Sequence, residues 1–232
     1  MTKKFGYFTP QMPTISGIRY GNWGSRPFEY KWAADVESVE GLRVLDCGTG
    51  LPSEHTWHQF VRQVLKPSSY VGIDLDSRLK GEEINLPDHK MLWMDMTDLK
   101  FPDKSFDACY SISTFEHIPK TEMFFKAMSE IHRVMIPGGK LIVTLDEFWD
   151  IGMPCHGCGS NGPWNDLERD LRITGNVTRT TESFSMEDFA RLIKPLFSPV
   201  GDEMPESKTN ADSKLLYSHE WNCTASYGVF TR

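Results

Sequence analysis

The hydrophobic pattern has two periods that alternate along much of the chain. Short apolar runs of strand length recur at Leu42–Asp46, Tyr70–Asp74, Lys90–Met94, Phe106–Ser111 and Lys140–Leu145. Between them lie stretches with apolar residues every three or four positions, the spacing of a helix that buries one face. Trp57, Phe60, Val61, Val64 and Leu65 mark one helix, from about Glu54 to Leu65, with Ser53 as its expected N-cap. Met123, Phe124, Ala127, Met128, Ile131 and Val134 mark another, from about Lys120 to Met135. A third, near Phe28–Glu40, carries Trp32, Val36 and Val39. Ser185-Met186-Glu187-Asp188 caps a fourth, with Phe189, Leu192 and Ile193 on its face. Pro67 and Pro195 end the helices before them.

Strands alternating with helices predict an α/β fold: a Rossmann-like, doubly wound, mostly parallel sheet with helices on both faces. The tail, with Leu215–Tyr217 and Tyr227–Phe230, predicts a closing antiparallel strand pair. Residues 1–40 are aromatic but irregular, and are expected to form a flap over one side of the core. Residues 78–90 read as a loop or weak helix, and Pro137-Gly138-Gly139 as a sharp turn. The organisation expected is one domain: flap 1–40, core 41–146, insertion 147–182, and C-terminal helix and strands 183–232. An insertion of that length inside a compact domain is usually functional or disordered.

Four of the predicted strands end at a carboxylate, Asp46, Asp74, Asp95 and Asp146, which places four acids along the sheet edge where such folds bind ligands. The first is followed by Gly48-Thr49-Gly50, a turn in which backbone comes close to a bound molecule. A dinucleotide loop of the Gly-x-Gly-x-x-Gly kind would have glycine where Ser53 stands. It would also have pyrophosphate to neutralise, for which Asp46 is a poor neighbour. A ligand with an amino group, a sulfonium and no phosphate suits an acidic rim better.

Composition narrows the field further. The chain has 232 residues, 39% hydrophobic and 25% charged, with net charge −7. This is ordinary for a globular domain and unlike a protein that grips duplex nucleic acid through phosphates. No apolar run reaches the roughly 20 residues of a membrane span, and no apolar signal segment is evident, so a cytoplasmic protein is expected. Five cysteines without a secretory signal argue against a disulfide framework. Cys155-His156-Gly157-Cys158 reads as a substrate loop with two unlinked thiols. The alternative is half of a zinc site completed by His219 and Cys223.

Val44-Leu45-Asp46-Cys47-Gly48-Thr49-Gly50, Val71-Gly72-Ile73-Asp74, Asp95-Met96, Phe101–Asp107, Glu116-His117-Ile118 and Arg133–Leu141 follow one another in an order that resembles the class I S-adenosylmethionine-dependent methyltransferases, type 11-like. The resemblance spans about Gly41 to Asp146; Pro52 stands where that family often has a third glycine. It implies S-adenosyl-L-methionine as cofactor. Gly48, Thr49 and Gly50 would pass under its methionine moiety, with Asp46 near the amino group through water. Asp74, with Leu75 beside it, would take the ribose hydroxyls, and Asp95 and Met96 the adenine. Ser111 and Ser113 would line the sulfonium side. Acid–base candidates for the acceptor are His117, Asp146, Glu147 and His156. Trp149 and Trp164 in the insertion make oxygen methylation of a glycan or metabolite, a small-molecule acceptor, the first expectation. The alternatives are a non-catalytic module that binds the same nucleoside, and a nicotinamide-dependent oxidoreductase.

Overall fold

The computed structural model describes residues 2–20, 24–118, 121–148, 185–201, 217–218 and 223–232; for 121, 147–148, 217–218 and 223–224 the backbone alone. The insertion tryptophans, Cys155, His156, Cys158 and His219 lie outside the described residues.

The strands are β1 (Phe5–Tyr7), β2 (Arg43–Cys47), β3 (Ser69–Asp74), β4 (Ile84–Asn85), β5 (His89–Trp93), β6 (Phe106–Ile112), β7 (Met135–Phe148), β8 (Ser198–Pro199), β9 (Tyr217–Ser218) and β10 (Cys223–Thr231). They form one sheet in the order β1-β10-β7-β6-β2-β3-β5-β4, with β8 and β9 also on β10. Strands β7, β6, β2, β3 and β5 run parallel. The expected antiparallel closing strand is present as β10, but its partner β9 pairs with Cys223 and Thr224, and Tyr227–Phe230 lies opposite β7 instead. Strand β10 also runs antiparallel along β7, from Cys223 opposite Phe148 to Thr231 opposite Lys140. The strand order reverses at β2, with β3 on one side and β6 on the other. That reversal is the switch point where doubly wound sheets open a crevice, and Gly48–Gly50 follows β2 directly into it.

Alternation along the strands divides the core between two faces. On one face Leu45, Cys47, Ile73, Cys109, Leu141, Val143 and Leu145 pack with helix α3 (Thr121–Val134) and helix α4 (Met186–Ile193). On the other, Val44, Tyr70, Ala108, Tyr110 and Ile142 pack with helix α1 (Arg26–Val36) and helix α2 (Trp57–Phe60). Phe8, Ile18, Trp32 and Val36 belong to this second cluster, so the aromatic N-terminal stretch is core.

Five local expectations change. The first crossover helix begins at Trp57, not Glu54, and its second turn, Val61–Leu65, is a π-helix. Ser53 does not cap it: its hydroxyl and its N–H both donate to the Glu82 carboxylate, at 2.8 and 3.0 Å. Phe5–Tyr7, expected to be irregular, adds to the sheet through β10. Ile84–Asn85, in the stretch read as loop, pairs antiparallel with β5. Finally, Pro137–Gly139 stays within β7. Gly138 has φ +81° there, and a Cβ on Gly139 would lie 2.9 Å from the Asp107 carbonyl oxygen.

Candidate functional site

Two cavities open at the carboxyl ends of the parallel strands and share Gly48, Ser113 and His117. The larger, about 250 Å3, is bordered by Ile73, Asp74, Leu75, Met94, Asp95, Met96, Ile118 and Met123. It is an apolar slot with two carboxylates. The smaller, about 110 Å3, is bordered by Arg26, Tyr30, Asp46, Thr49, Gly50, His55 and Trp57.

The glycine turn separates them. Gly48 has φ +80° and Gly50 φ +70°, conformations that favour glycine. A Cβ on Gly48 would lie 2.1 Å from Thr114 Oγ1, so the turn passes against the β6 loop with no room for a side chain. The amides of this turn are already engaged. Those of Gly48 and Thr49 donate to the Ile73 carbonyl, that of Gly50 to Asp74 Oδ2 at 2.8 Å, and that of Ser53 to Glu82. A pyrophosphate would meet carboxylates where it needs open donors. No Lys or Arg borders the larger cavity among the described residues. The site therefore does not fit a nicotinamide dinucleotide. It fits a phosphate-free nucleoside whose ribose and amine are donors, as in S-adenosylmethionine.

Of the residues singled out from sequence, Asp46, Gly48, Thr49, Gly50, Asp74, Leu75, Asp95, Met96, Ser113 and His117 border one cavity or both. Asp74 Oδ1 takes the Asp76 amide at 2.9 Å, and Asp95 Oδ1 takes the Thr97 amide at 2.7 Å. Each carboxylate is thereby fixed in orientation. Asp46 is 1% exposed and accepts a hydrogen bond from the Tyr70 hydroxyl at 2.5 Å. Burial pushes its carboxyl up to about 7, against the opposing pull of that hydroxyl. Ser111 is fully buried, its hydroxyl has no partner among the described residues, and it borders neither cavity. Glu147 lies on β7 opposite Thr224.

Asp146 is also buried, 3% exposed, and borders neither cavity. It belongs to a cluster that sequence reasoning missed. Glu29 on α1 accepts two hydrogen bonds from Arg26 Nη1, both at 2.8 Å. It accepts two more, from the Ser113 and Thr144 hydroxyls at 2.8 and 2.7 Å. The Asp146 amide donates to Glu116 Oε1 at 3.1 Å, and Glu116 Oε2 is buried without a partner among the described residues. Burial, then Glu29 and Glu116, push the Asp146 carboxyl up to about 8, while Arg26 and His117 pull the other way. Burial likewise raises Glu116. Burial opposes the charge on Arg26, but Glu29, Asp146, Tyr30 and Glu116 more than offset it and keep the guanidinium charged. The signal for this cluster was Arg26-x-x-Glu29, an i,i+3 ion pair set among Phe28, Tyr30 and Trp32.

A doubly wound sheet, a glycine turn at its switch point and acids at the tips of β3 and after β5 define a class I S-adenosylmethionine-dependent methyltransferase fold. Residues 45–143 match the family described as a methyltransferase domain. The chain is 30% identical over 118 residues to a fatty-acid O-methyltransferase of Mycolicibacterium smegmatis, covering 50% of this chain and 41% of that one. It is 34% identical over 122 residues to the sterol 24-C-methyltransferase erg6 of Aspergillus fumigatus, covering 48% of this chain and 29% of that one. The matched span is thus less than half of either relative. The fold is similar to that of the N-methyltransferase NodS of Bradyrhizobium japonicum, solved with S-adenosyl-L-homocysteine. The TM-score is 0.55 at 10% identity, over 91% of this chain and 89% of that one. No helix among the described residues is long and apolar enough to cross a membrane.

Proposed function

We propose that this protein transfers the methyl group of S-adenosylmethionine to a small-molecule acceptor, with oxygen as the first candidate atom. The observation that carries this reading is the junction of the two cavities at Gly48, Ser113 and His117. When bound, S-adenosylmethionine supplies a methyl carbon made electrophilic by its sulfonium. Asp74 accepts the ribose hydroxyls and Asp95 the adenine amine, while Leu75 and Met96 flank the ring. Asp46 faces the amino group. Ser113, with φ +43°, is locked by its bonds to Glu29 and Thr144 and forms a rigid wall at the junction. Alignment in a site that excludes water supplies the rate. His117, at the junction, takes the proton of a hydroxyl acceptor. Asp146 and Glu116 border neither cavity and do not touch the acceptor. Glu147 stands one residue further along β7, as a candidate toward the acceptor side.

Calorimetry with S-adenosylhomocysteine and NAD on the full chain tests the first half. The thioether nucleoside is expected to bind and NAD not to. Asp74→Ala is expected to weaken the nucleoside by about 10- to 100-fold, the loss of hydrogen bonds to a charged group. An unchanged affinity would remove the assignment. Transfer of labelled methyl to a panel of glycans, fatty acids, sterols and hydroxylated aromatics tests the second half. Binding without turnover on any of them would favour a non-catalytic module instead.

A further inference from the structure

Behind Asp46 stands a residue that the site does not use. Tyr70 on β3 is fully buried and borders neither cavity, yet its hydroxyl donates to Asp46 Oδ2 at 2.5 Å. The same hydroxyl lies 2.9 Å from Thr49 Oγ1. His89 packs edge-on against the phenol ring, centroids 5.5 Å apart and planes at 72°, so the ring is held in place. Burial, then the Asp46 charge, hold the Tyr70 phenol well above its ordinary range, so it keeps its proton and stays the donor. A donor fixed in this way favours the ionised carboxyl over the neutral one.

Other groups act on Asp46 as well. Burial opposes its ionisation most strongly, and Asp74 at the tip of β3 opposes it too, while Thr49 adds to the pull of Tyr70. The Asp46 charge also reaches Tyr30 on α1 and Cys109 and Tyr110 on β6. Arg26, His55 and His117 share its cavity. The balance leaves the carboxyl near 7, so both of its forms are present at neutral pH.

We propose that Tyr70 is a positioning residue that holds Asp46 ionised for an ammonium group, and that binding of the cofactor is thereby linked to release of a proton. The proposal rests on the nucleoside reading above and deepens it. An ammonium group needs the carboxylate, so every molecule whose Asp46 still carries its proton gives that proton to the buffer on binding. Tyr70 sets how many molecules must do so.

Calorimetry of S-adenosylhomocysteine on the full chain, in buffers of different ionisation enthalpy, counts the protons released. At pH 7 the native protein is expected to release about half a proton per nucleoside, because a group with a midpoint near 7 is half protonated there. Tyr70→Phe keeps the ring and deletes the donor, which is expected to favour the protonated carboxyl by about 10- to 100-fold. The variant is then expected to release nearly a whole proton at pH 7 and to bind about 5- to 50-fold more weakly there, a gap that narrows as pH rises towards 9. Thr49→Val removes the second hydroxyl and is expected to raise the proton count in the same direction by less. Asp46→Asn is measured beside them, with a thermal melt of each variant, and reads whatever His55 and His117 exchange. A purely structural Tyr70 would lower affinity equally at every pH and leave the proton count alone. That result, or a native count at pH 7 that is near zero or no different from that of Asp46→Asn, would overturn the proposal. Failure of S-adenosylhomocysteine to bind the native protein would instead overturn the nucleoside reading, and this linkage with it.

Discussion

At the scale of single residues, Gly48 and Asp146 make separable demands. An alanine at 48 meets Thr114 at Oγ1, Cγ2 and Cβ, at 2.1, 2.3 and 2.7 Å, and holds φ at +80°. A contact with Cβ is not relieved by rotating the side chain. Gly48→Ala is expected to lower stability by about 2–3 kcal/mol and to weaken nucleoside binding. Thr114→Ala in the same chain removes the Oγ1 and Cγ2 contacts and leaves the Cβ contact at 2.7 Å together with the left-handed backbone cost of about 1–2 kcal/mol. Denaturant titration of the single and double variants separates the two terms. Asp146 titrates in the fold near 8, against about 4 in an unfolded chain. An acid that binds its proton more tightly when folded contributes stability at low pH, and that contribution is lost as pH rises from about 4 towards 8. Asp146→Asn, which is neutral throughout, is expected to melt higher than the native protein at pH 8 and to lose that advantage near pH 4.

At the scale of elements, the apolar runs placed β2, β3, β5 and β6 to within one residue, because a strand buried on both faces reads as continuous hydrophobic sequence, whereas β7 runs from Met135 to Phe148, well past the expected Lys140–Leu145. Elements that depend on distant partners were not legible. Phe5-Gly6-Tyr7 has no alternation of its own and becomes a strand through β10, where Phe5 lies opposite Gly228. Ser53 has the side chain of an N-cap, yet the Glu82 carboxylate claims it first. Arg26 and Glu29 read as an ordinary helix pair. That the pair sits under the Ser113 loop is a fact of tertiary packing. Helix α2 brings a further consequence, for its His58 Nδ1 lies 3.0 Å from Nε2 of His89, where β5 begins. Burial, then His89 and Arg19, push His58 down to about 4. Burial and Arg62 lower His89 as well, with Asp88 opposing. Both rings stay neutral in the fold, so their contribution is present above about 6.5 and is lost as pH falls towards 4. A His58→Gln variant is expected to show a shallower drop in melting temperature across that interval.

At the scale of the whole molecule, the order of the strands turns separate sequence motifs into one site. The tips of β2, β3, β5, β6 and β7 reach the same edge, and α1 crosses to that edge from the opposite end of the sequence pattern to supply Arg26 and Glu29. The parallel half of the site was therefore readable from strand endings. The Arg26–Glu29 cluster was not, because nothing in the spacing of residues 26–30 reveals which strand ends they will meet. The relatives' names span fatty-acid and sterol chemistry.

The occupied amides of the glycine turn also determine which cellular metabolites can interfere. ATP and the nicotinamide cofactors are abundant and carry the same adenosine group. Because Gly50 and Ser53 already donate to Asp74 and Glu82, polyphosphate tails gain nothing here and meet repulsion from both acids. Millimolar ATP is expected to leave the apparent affinity for S-adenosylhomocysteine unchanged in a competition titration. A turn built this way is immune to the commonest adenosine carriers without any residue set aside to reject them.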